Sequence, residues 1–398
     1  MSMQVSTGAP VPAPTISSAM TMLIALACGL IVANLYYAQP LVGPISVALG
    51  LDRHAAGLIV TLTQIGYGVG LLLIVPLGDL FENRRLILIT MLIGIVALIA
   101  AAFATTPGVF LTAAFCIGIG SVAVQILVPL AAHMAPEESR GRVVGNVMSG
   151  LMLGIMLARP VASFITEYSS WQRVFHISIA IMVVLALVLS RILPPRVPNT
   201  NLRYSALLAS MWHLTRSTPI LRRRALYQAA LFAAFSVFWT TVPLLLAGPV
   251  YHLSQAGIAW FALAGVAGAI AAPIAGRLAD RGLTRPATLA ALVLAVLAFL
   301  LSLLVAAGTT PALGWLVVVA ILLDFGVAAN LTLGQRAIFA LGAAYRSRLN
   351  GIYMATFFCG GALGSALGAW AYAVGGWAGA AWFGAALPLL ALLYCLSE

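Results

Sequence analysis

Charge is what this 398-residue chain has least of. Only 7% of its residues are charged, against 63% hydrophobic; globular proteins carry about 25% charged and about 45–50% apolar residues. A soluble core cannot absorb that excess, so the composition is that of an integral membrane protein. Lysine is missing altogether, and all twenty basic residues are arginines. Without lysine no Walker A loop can be built, which excludes an ATP-driven pump of that kind. The net charge of +11 fits membrane topology better than nucleic acid, and no nucleic-acid partner is expected. Cysteine is scarce too: Cys28, Cys116, Cys359 and Cys395 all fall in apolar runs, as free thiols do, rather than disulfides or metal ligands. The histidines, His54, His133, His176, His213 and His252, show no metal-ligand spacing, so neither metal nor cofactor is expected. His133 is a candidate for sensing proton or substrate. No catalytic motif such as HExxH occurs, which points away from an enzyme.

What the chain has is long apolar runs. A membrane-spanning helix needs about 20 such residues. With Pro, Gly and Arg clusters as punctuation, about twelve spans emerge, at roughly 20–47, 55–78, 86–105, 109–134, 144–166 and 174–193, then roughly 225–247, 256–276, 286–307, 313–336, 349–373 and 378–396. The short connections "TTPG" and "TTPALG" leave eleven or thirteen as alternatives. The chain thus divides into a lead-in (1–19), a six-helix bundle (20–193), a linker (194–224) and a second six-helix bundle (225–398). The lead-in, "MSMQVSTGAPVPAPTISSA", lacks the basic stretch of a signal peptide and reads as disordered and cytoplasmic.

The arginines orient the spans. With the N-terminus inside, Arg84, Arg85, Arg140, Arg142, Arg277, Arg281, Arg285, Arg336, Arg346 and Arg348 all fall on the inner side. The linker adds Arg191, Arg196, Arg203, Arg216 and "RRR" at 222–224, leaving Arg53 and Arg173 outside. The positive-inside rule then places both termini in the cytoplasm of a bacterial inner membrane. Within the linker, Tyr204, Leu207, Leu208, Met211 and Trp212 share one helical face, so an interfacial helix is expected, with a plain helical linker as the alternative.

The halves echo each other. "SRGRVVGNVMSG" enters the fifth span and "YRSRLNGIYMAT" the eleventh, aligning Arg142 with Arg348, Gly145 with Gly351 and Trp171 with Trp377. "GDLFENRR" and "GRLADRG" align Gly78 with Gly276, Leu80 with Leu278 and Glu82 with Asp280. On these motifs the chain resembles the major facilitator superfamily over its whole length, and within it the twelve-span bacterial drug/proton antiporter branch. "ANLYYAQPL", "LGIMLARP" and "FWTTVPLLL" resemble a subgroup of facilitator permeases. The resemblance implies an all-α integral membrane fold of two six-helix halves, alternating access, and a G-x-L-x-D-R-x-G-R-R turn after the second span. Gly78, Leu80, Glu82, Arg84 and Arg85 fit that turn loosely, and the second copy at Gly276, Leu278, Asp280 and Arg281 fits it better. The chain departs from the branch in the fourth span, where Ala114 replaces an arginine, and in the fifth, where Gly150 and Gly154 are followed by Ile155.

In that turn Gly78 allows close helix approach, Asp79 and Glu82 can engage helix ends or arginines of the other half, and Arg84 and Arg85 sit at anionic lipid. The resemblance implies that such a turn is a gating latch, with a pure topology signal as the alternative. Glycines at helical spacing (Gly66, Gly68 and Gly70; Gly150 and Gly154; Gly360, Gly361, Gly364 and Gly368) predict close helix contacts. Polar and aromatic residues inside spans are candidate cargo contacts: Asn34, Tyr36, Tyr37, Gln39, Gln64, Tyr67 and Gln125 in the first half, and Trp239, Thr240, Thr241, Asn330, Tyr353, Phe357 and Phe358 in the second. An apolar pocket with a few polar groups suits an uncharged or amphipathic molecule.

Two ionisable residues lie deep in spans, Arg159 in "GLMLGIMLARPVASFI" and Asp324 in "ILLDFGVAANLTLG". Such groups are costly in lipid and face a cavity or a partner. Arg159 lies about 25 Å along its helix from Arg142, and Asp324 about 16 Å along its own from Leu313, so both fall between the midplane and the outer half. The resemblance implies that the fifth and tenth spans approach each other. Burial raises a carboxylate's pKa and a nearby cation lowers it, so Asp324 is expected to carry the proton and Arg159 to tune it. A permanent ion pair, or two residues each facing water, is the alternative. The functional expectation is proton-coupled efflux of a small molecule by a monomer, with proton-coupled uptake as the alternative and a membrane receptor or enzyme as a third class. A topology reporter fused after Ser217 should read cytoplasm and one after Thr106 the outside; opposite signals at both sites would invert the orientation.

Overall fold

The structure, a computed structural model, describes residues 16–137, 139–198, 203–304, 308–342 and 345–397. Most of the lead-in, residues 1–15, and part of the linker, residues 199–202, lie outside them. Among the described residues there is no strand. The helices are α1 (Ser18–Ala33), α2 (Val42–Leu49), α3 (Leu58–Leu73), α4 (Asn83–Ala102), α5 (Pro107–Ser121), α6 (Ala123–Met134), α7 (Arg140–Tyr168) and α8 (Trp171–Ile192). Then come α9 (Tyr204–Ser217), α10 (Pro219–Ala247), α11 (Gln255–Ala262), α12 (Ala271–Asp280), α13 (Thr284–Leu301), α14 (Thr310–Phe339) and α15 (Arg346–Leu396). Short 3₁₀ stretches follow α3 (Val75–Asp79) and join α11 to α12 (Leu263–Ile270).

Ten helical stretches are long and apolar enough to cross a bilayer. The last, α15, turns at Gly376, whose φ of 58° and ψ of −153° are conformations open to glycine, and so makes two passes. The first span is absent from the ten because its helix stops at Ala33. Residues 34–41 pass through turns before α2 resumes, with bonds such as Tyr36 N to Ala33 O and Leu41 N to Ala38 O and with Pro40 unable to donate. Counting α1 with α2 as one pass gives twelve. Helix starts follow local chemistry: Ser17 accepts from Met20 N, Thr309 accepts from Ala312 N, and Pro107 and Pro219 sit at first-turn positions. α10 therefore begins six residues before the expected 225, and Arg222–Arg224 belong to the helix rather than to a loop. Arg224 is buried and donates to Thr288 Oγ1 at 2.8 Å.

The outside of the bundle is apolar, with Leu92, Val96, Leu187, Trp260, Leu363 and Leu390 all exposed, as a lipid-facing surface requires. Inside, helices meet backbone to backbone. A Cβ on Gly29 would lie 2.6 Å from Gly150 O, and one on Gly154 would collide with Gly29, joining α1 to α7. Gly66 and Gly118 do the same for α3 and α5, and Gly360 and Gly364 for α15 and α10.

The seam between the halves has a closed end and a looser one. At the arginine-poor end, Gly57 lies against Ser365 and Ala369, and Thr61 Oγ1 is 2.8 Å from Ser365 Oγ. There too Glu167 Oε2 accepts from Ala256 N at 2.9 Å, and Phe164 meets Trp260 edge-on at 5.5 Å. Toward the arginine-rich end, a Cβ on Gly68 would find its nearest atom at 3.8 Å across the seam, and Gly141, Gly145 and Gly276 have nothing within 4 Å. There α9 straps the halves: Tyr204 Oη donates to Leu73 O at 2.8 Å, Arg348 donates to Ser210 Oγ, Met211 is buried beside Leu221, Ile338 and Leu349, and Leu207 is buried as well. Trp212 points outward with Arg216 over its ring. The helix docks on protein through Leu207 and Met211 and offers its tryptophan to the surroundings.

The contact geometry makes a paired stability test. Gly154→Val should destabilise the protein by about 1–3 kcal/mol through overpacking, while Gly145→Val, in open space, should change stability by less than about 1 kcal/mol. Thermal unfolding in detergent reads both; equal values would show that α1 and α7 do not meet at Gly154.

Candidate functional site

Arg159 and Asp324 do share a site, but they do not touch. Among the described residues no oxygen of Asp324 comes within 4.0 Å of an Arg159 nitrogen; the ion pairs present are Arg85–Glu82 and Arg336–Asp280. Trp239 of α10 stands between them. Its Nε1 donates to Asp324 Oδ1 at 2.8 Å, and its ring lies 3.9 Å from Arg159 Cζ. Phe235, one turn earlier on α10, offers a second ring 5.2 Å from the same carbon. An indole has a negative face and a positive N–H edge, so one ring can hold a cation on its face and a carboxylate at its edge. Both charges are buried, Arg159 with 3% and Asp324 with 6% of its surface exposed. Sequence reasoning placed Trp239 among the cargo contacts; its position between the charges depends on a rotamer and on the seam, neither of which a sequence displays.

The acid is backed by glycine. A Cβ on Gly265 would lie 2.6 Å from Asp324 Oδ2, and one on Gly268 would lie 3.1 Å from Asp324 Cβ. These two glycines occupy the 3₁₀ stretch Leu263–Ile270, where residues three apart eclipse each other, so both face α14. Sequence analysis missed them; the signal available was the spacing of small residues in "LAGVAGAI".

Other candidates divide into three groups. Tyr36 lies within the electrostatic reach of both Arg159 and Asp324, and Tyr37 and Gln39 sit beside it in the turns after α1. Gln39 is buried with no partner for either amide atom. A second group lies along the seam: Gln64 Nε2 donates across it to Ser236 Oγ at 3.1 Å, and Tyr67, which accepts from Gln125 Nε2 at 2.9 Å in its own half, packs across it on Phe358 at 4.4 Å. Phe357 stacks on Phe232 of α10 at 3.7 Å. Members of the third group are engaged within their own half. Asn34 donates to Leu30 O and Ile31 O and accepts from Ser178 Oγ, and Asn330 donates to Gln228 Oε1 at 2.7 Å. Tyr353 packs under Gly334 in the cluster of Met211, Leu221 and Ile338. Thr241 bonds back to Val237 O, and Thr240 is buried with its hydroxyl unpartnered. An apolar cleft lined by Leu92, Val96, Val109, Thr112 and Cys116 opens on the outside of the bundle, away from these groups.

The charged turns use different partners from those expected. Glu82 pairs with Arg85, three residues on, at 2.7 Å, rather than with the other half. The turn is fastened to the end of its own half: Asn83 Nδ2 donates to Gly78 O at 2.6 Å, Arg196 donates to Asn83 Oδ1 at 2.7 Å, and Arg84 donates to Ser190 O. Asp79 lies within the electrostatic reach of Arg196 and, in the other half, of Arg348. In the second copy Arg336 clasps both Gly276 O, at 2.7 Å, and Asp280, at 2.6 Å, while Arg281 follows at the helix end. Asn83, which stands where the family motif has arginine, turns out to be the residue that ties the first turn together.

The architecture is matched elsewhere. The chain is similar to the uncharacterized transporter YgaY of Escherichia coli O157:H7, with 41% identity covering 96% of each chain. A Streptomyces coelicolor protein named as a probable transporter is 32% identical, over 90% of this chain and 82% of its own. Among solved structures, a mutant of the nucleoside transporter NupG superposes with a TM-score of 0.78 at 15% identity, covering 95% of this chain and 99% of that one. The human organic anion transporter MFSD10 superposes with a TM-score of 0.68 at 17% identity, covering 96% and 100%. A profile of the Major Facilitator Superfamily matches residues 21–320 and 229–397. With twelve helical passes in two echoing halves and relatives named as transporters, the chain is a multi-pass membrane transporter belonging to the major facilitator superfamily.

Proposed function

We propose that this protein is a proton-coupled secondary transporter of the bacterial inner membrane, with Asp324 as the proton-carrying acid and Arg159 as the cation that sets its charge state. The observation that carries this reading is the stack of Arg159, Trp239 and Asp324. Asp324 is the one buried carboxylate among the described residues, and its opposing charge reaches it from α7, in the other half. Alternating access moves the halves relative to each other. Withdrawing α7 from α10 removes the guanidinium from the Trp239 ring and leaves the carboxylate without a counter-charge, which favours taking up a proton. Restoring the stack favours release. The seam, closed at the arginine-poor end and looser at the other, suits a site reached from the arginine-rich side, which is cytoplasmic if both termini are inside.

Export in exchange for protons and uptake together with protons both use such an acid. Which one operates depends on whether cargo and proton compete for Asp324 or bind together. An accumulation screen in everted vesicles, with and without a proton gradient, identifies cargo. Asp324→Asn should then reduce gradient-driven accumulation to the level seen without a gradient, while downhill exchange continues. Uphill accumulation by the variant with an unchanged pH profile would remove Asp324 from the coupling step.

A further inference from the structure

We infer that the cargo is an organic anion, held through a carboxylate or similar group by Arg159, and that it moves in the same direction as the proton; the inference rests on the reading of Asp324 as the proton site. Arg159 is buried, and its Nε and Nη1 have no hydrogen-bond partner. Its Cζ lies over the rings of Trp239 and Phe235, and the N–H donors of Nε and Nη1 stay uncommitted. A guanidinium keeps its charge in proteins and presents those donors as a fork that matches a carboxylate. One turn along α7, Ser163 is fully buried with its hydroxyl unpartnered, as is Thr240 next to Trp239. Rings for an apolar body and open donors for an anionic head are therefore present together.

Both charges are buried, and the guanidinium is the one whose donors stand unpartnered. Asp324 Oδ1 already accepts from Trp239, and Gly265 leaves too little room beside Oδ2 for even a methyl group. The unpartnered polar atoms of the stack are those of the cation.

The same geometry fixes the sign of coupling. With Asp324 ionised, the carboxylate draws on the indole N–H, the ring face becomes more negative, and the Arg159 charge is balanced across the ring. Protonating Asp324 cancels that balance and leaves a bare cation in a medium of low dielectric, where an anion binds more tightly. By linkage the anion then favours the proton by the same factor. Proton and cargo reinforce each other, which is cotransport; exchange would require them to compete. A bound proton with a bound anion also crosses without net charge. In a cell whose interior is alkaline, this favours the uptake alternative over efflux.

No further charge intrudes on this balance among the described residues. The groups facing the stack are Tyr36, from the turns after α1, and the Trp239 indole. The 3₁₀ stretch against Asp324 carries no ionisable residue. Arg224, Arg277, Asp280, Arg285 and Arg348 on α10, α12, α13 and α15 sit at the arginine-rich ends, and Tyr227 and Tyr353 lie near Arg224.

The test is calorimetric titration of the full-length protein in detergent with three probe carboxylates, benzoate, indole-3-acetate and hexanoate. Each is compared with its neutral amide and its amine, at about pH 6 and about pH 8, where the acids remain ionised. We expect carboxylates to bind in preference to amides and amines, and wild-type affinity to rise by about tenfold or more on going to the lower pH, within the usual range of coupling. Asp324→Asn should bind tightly at both pH values, and Arg159→Gln should lose carboxylate binding. Trp239→Phe keeps a ring under Arg159 but removes the N–H link, so it should bind carboxylate with a shallower pH dependence; it also stands in if Arg159→Gln fails to fold. Amines bound best, and more tightly at high pH with the trend lost in Asp324→Asn, would overturn the anion and leave Asp324 as the proton site. Carboxylate binding whose pH trend survives Asp324→Asn would overturn Asp324 instead. No binding by any of the three carboxylates would overturn the inference.

Discussion

A guanidinium in the middle of a membrane protein has no water to face and no lipid that will tolerate it, and the interior of this chain is organised around that constraint. Arg159 meets it with aromatic faces rather than a carboxylate. The ring that carries most of the contact, Trp239, is itself anchored by Asp324. Because Arg159 belongs to α7 and its partners to α10 and α14, the solution spans the two halves. The charge is satisfied by the assembled bundle and by neither half alone. The glycines at 265 and 268, the 3₁₀ winding that turns both toward α14, and the packing of α11 on α7 all serve to bring this one stack together.

The chemistry of the two endpoints could be read from the sequence because a charge in an apolar run is conspicuous. The intermediary could not, since a tryptophan in a membrane helix looks the same whether it packs, lines a cavity or relays a field. Spans were legible through length and apolarity. What escaped was local: the interruption of the first span at Asn34, where Pro40 and short turn bonds replace the helix ladder, and the start of α10 at Pro219, which drew three arginines into a helix. Those arginines read as loop because charge usually marks the end of a span, yet Arg224 finds Thr288 inside the bundle.

The internal repeat shows how similar sequence can be put to unlike uses. Trp171 packs edge-on against Phe110 and Phe175, whereas its counterpart Trp377 meets Phe238 and donates to Ser302. Gly145 stands open while Gly351 receives Met211 of α9. The acids of the two charged turns likewise satisfy themselves differently, through a neighbour three residues away in one and an arginine from α14 in the other. Duplication supplied two equivalent surfaces, and the single linker helix occupies only one of them.

The graded fit between α3 and α15 has a mechanical consequence. A Cβ on Gly57 would collide with Ser365 O, so the helices meet backbone to backbone there, while Gly68 and Leu71, further along α3, have slack against the same helix, with 3.8 Å and 3.9 Å between an added Cβ and the facing carbonyl oxygen. From Gly57 to Leu71 is about 21 Å of helix. Treated as a lever arm pivoting at Gly57, that length turns a rotation of about ten degrees into a displacement of about 4 Å at the far end. A small angular adjustment at a fixed fulcrum is thus enough to admit or exclude a layer of atoms at the opposite mouth.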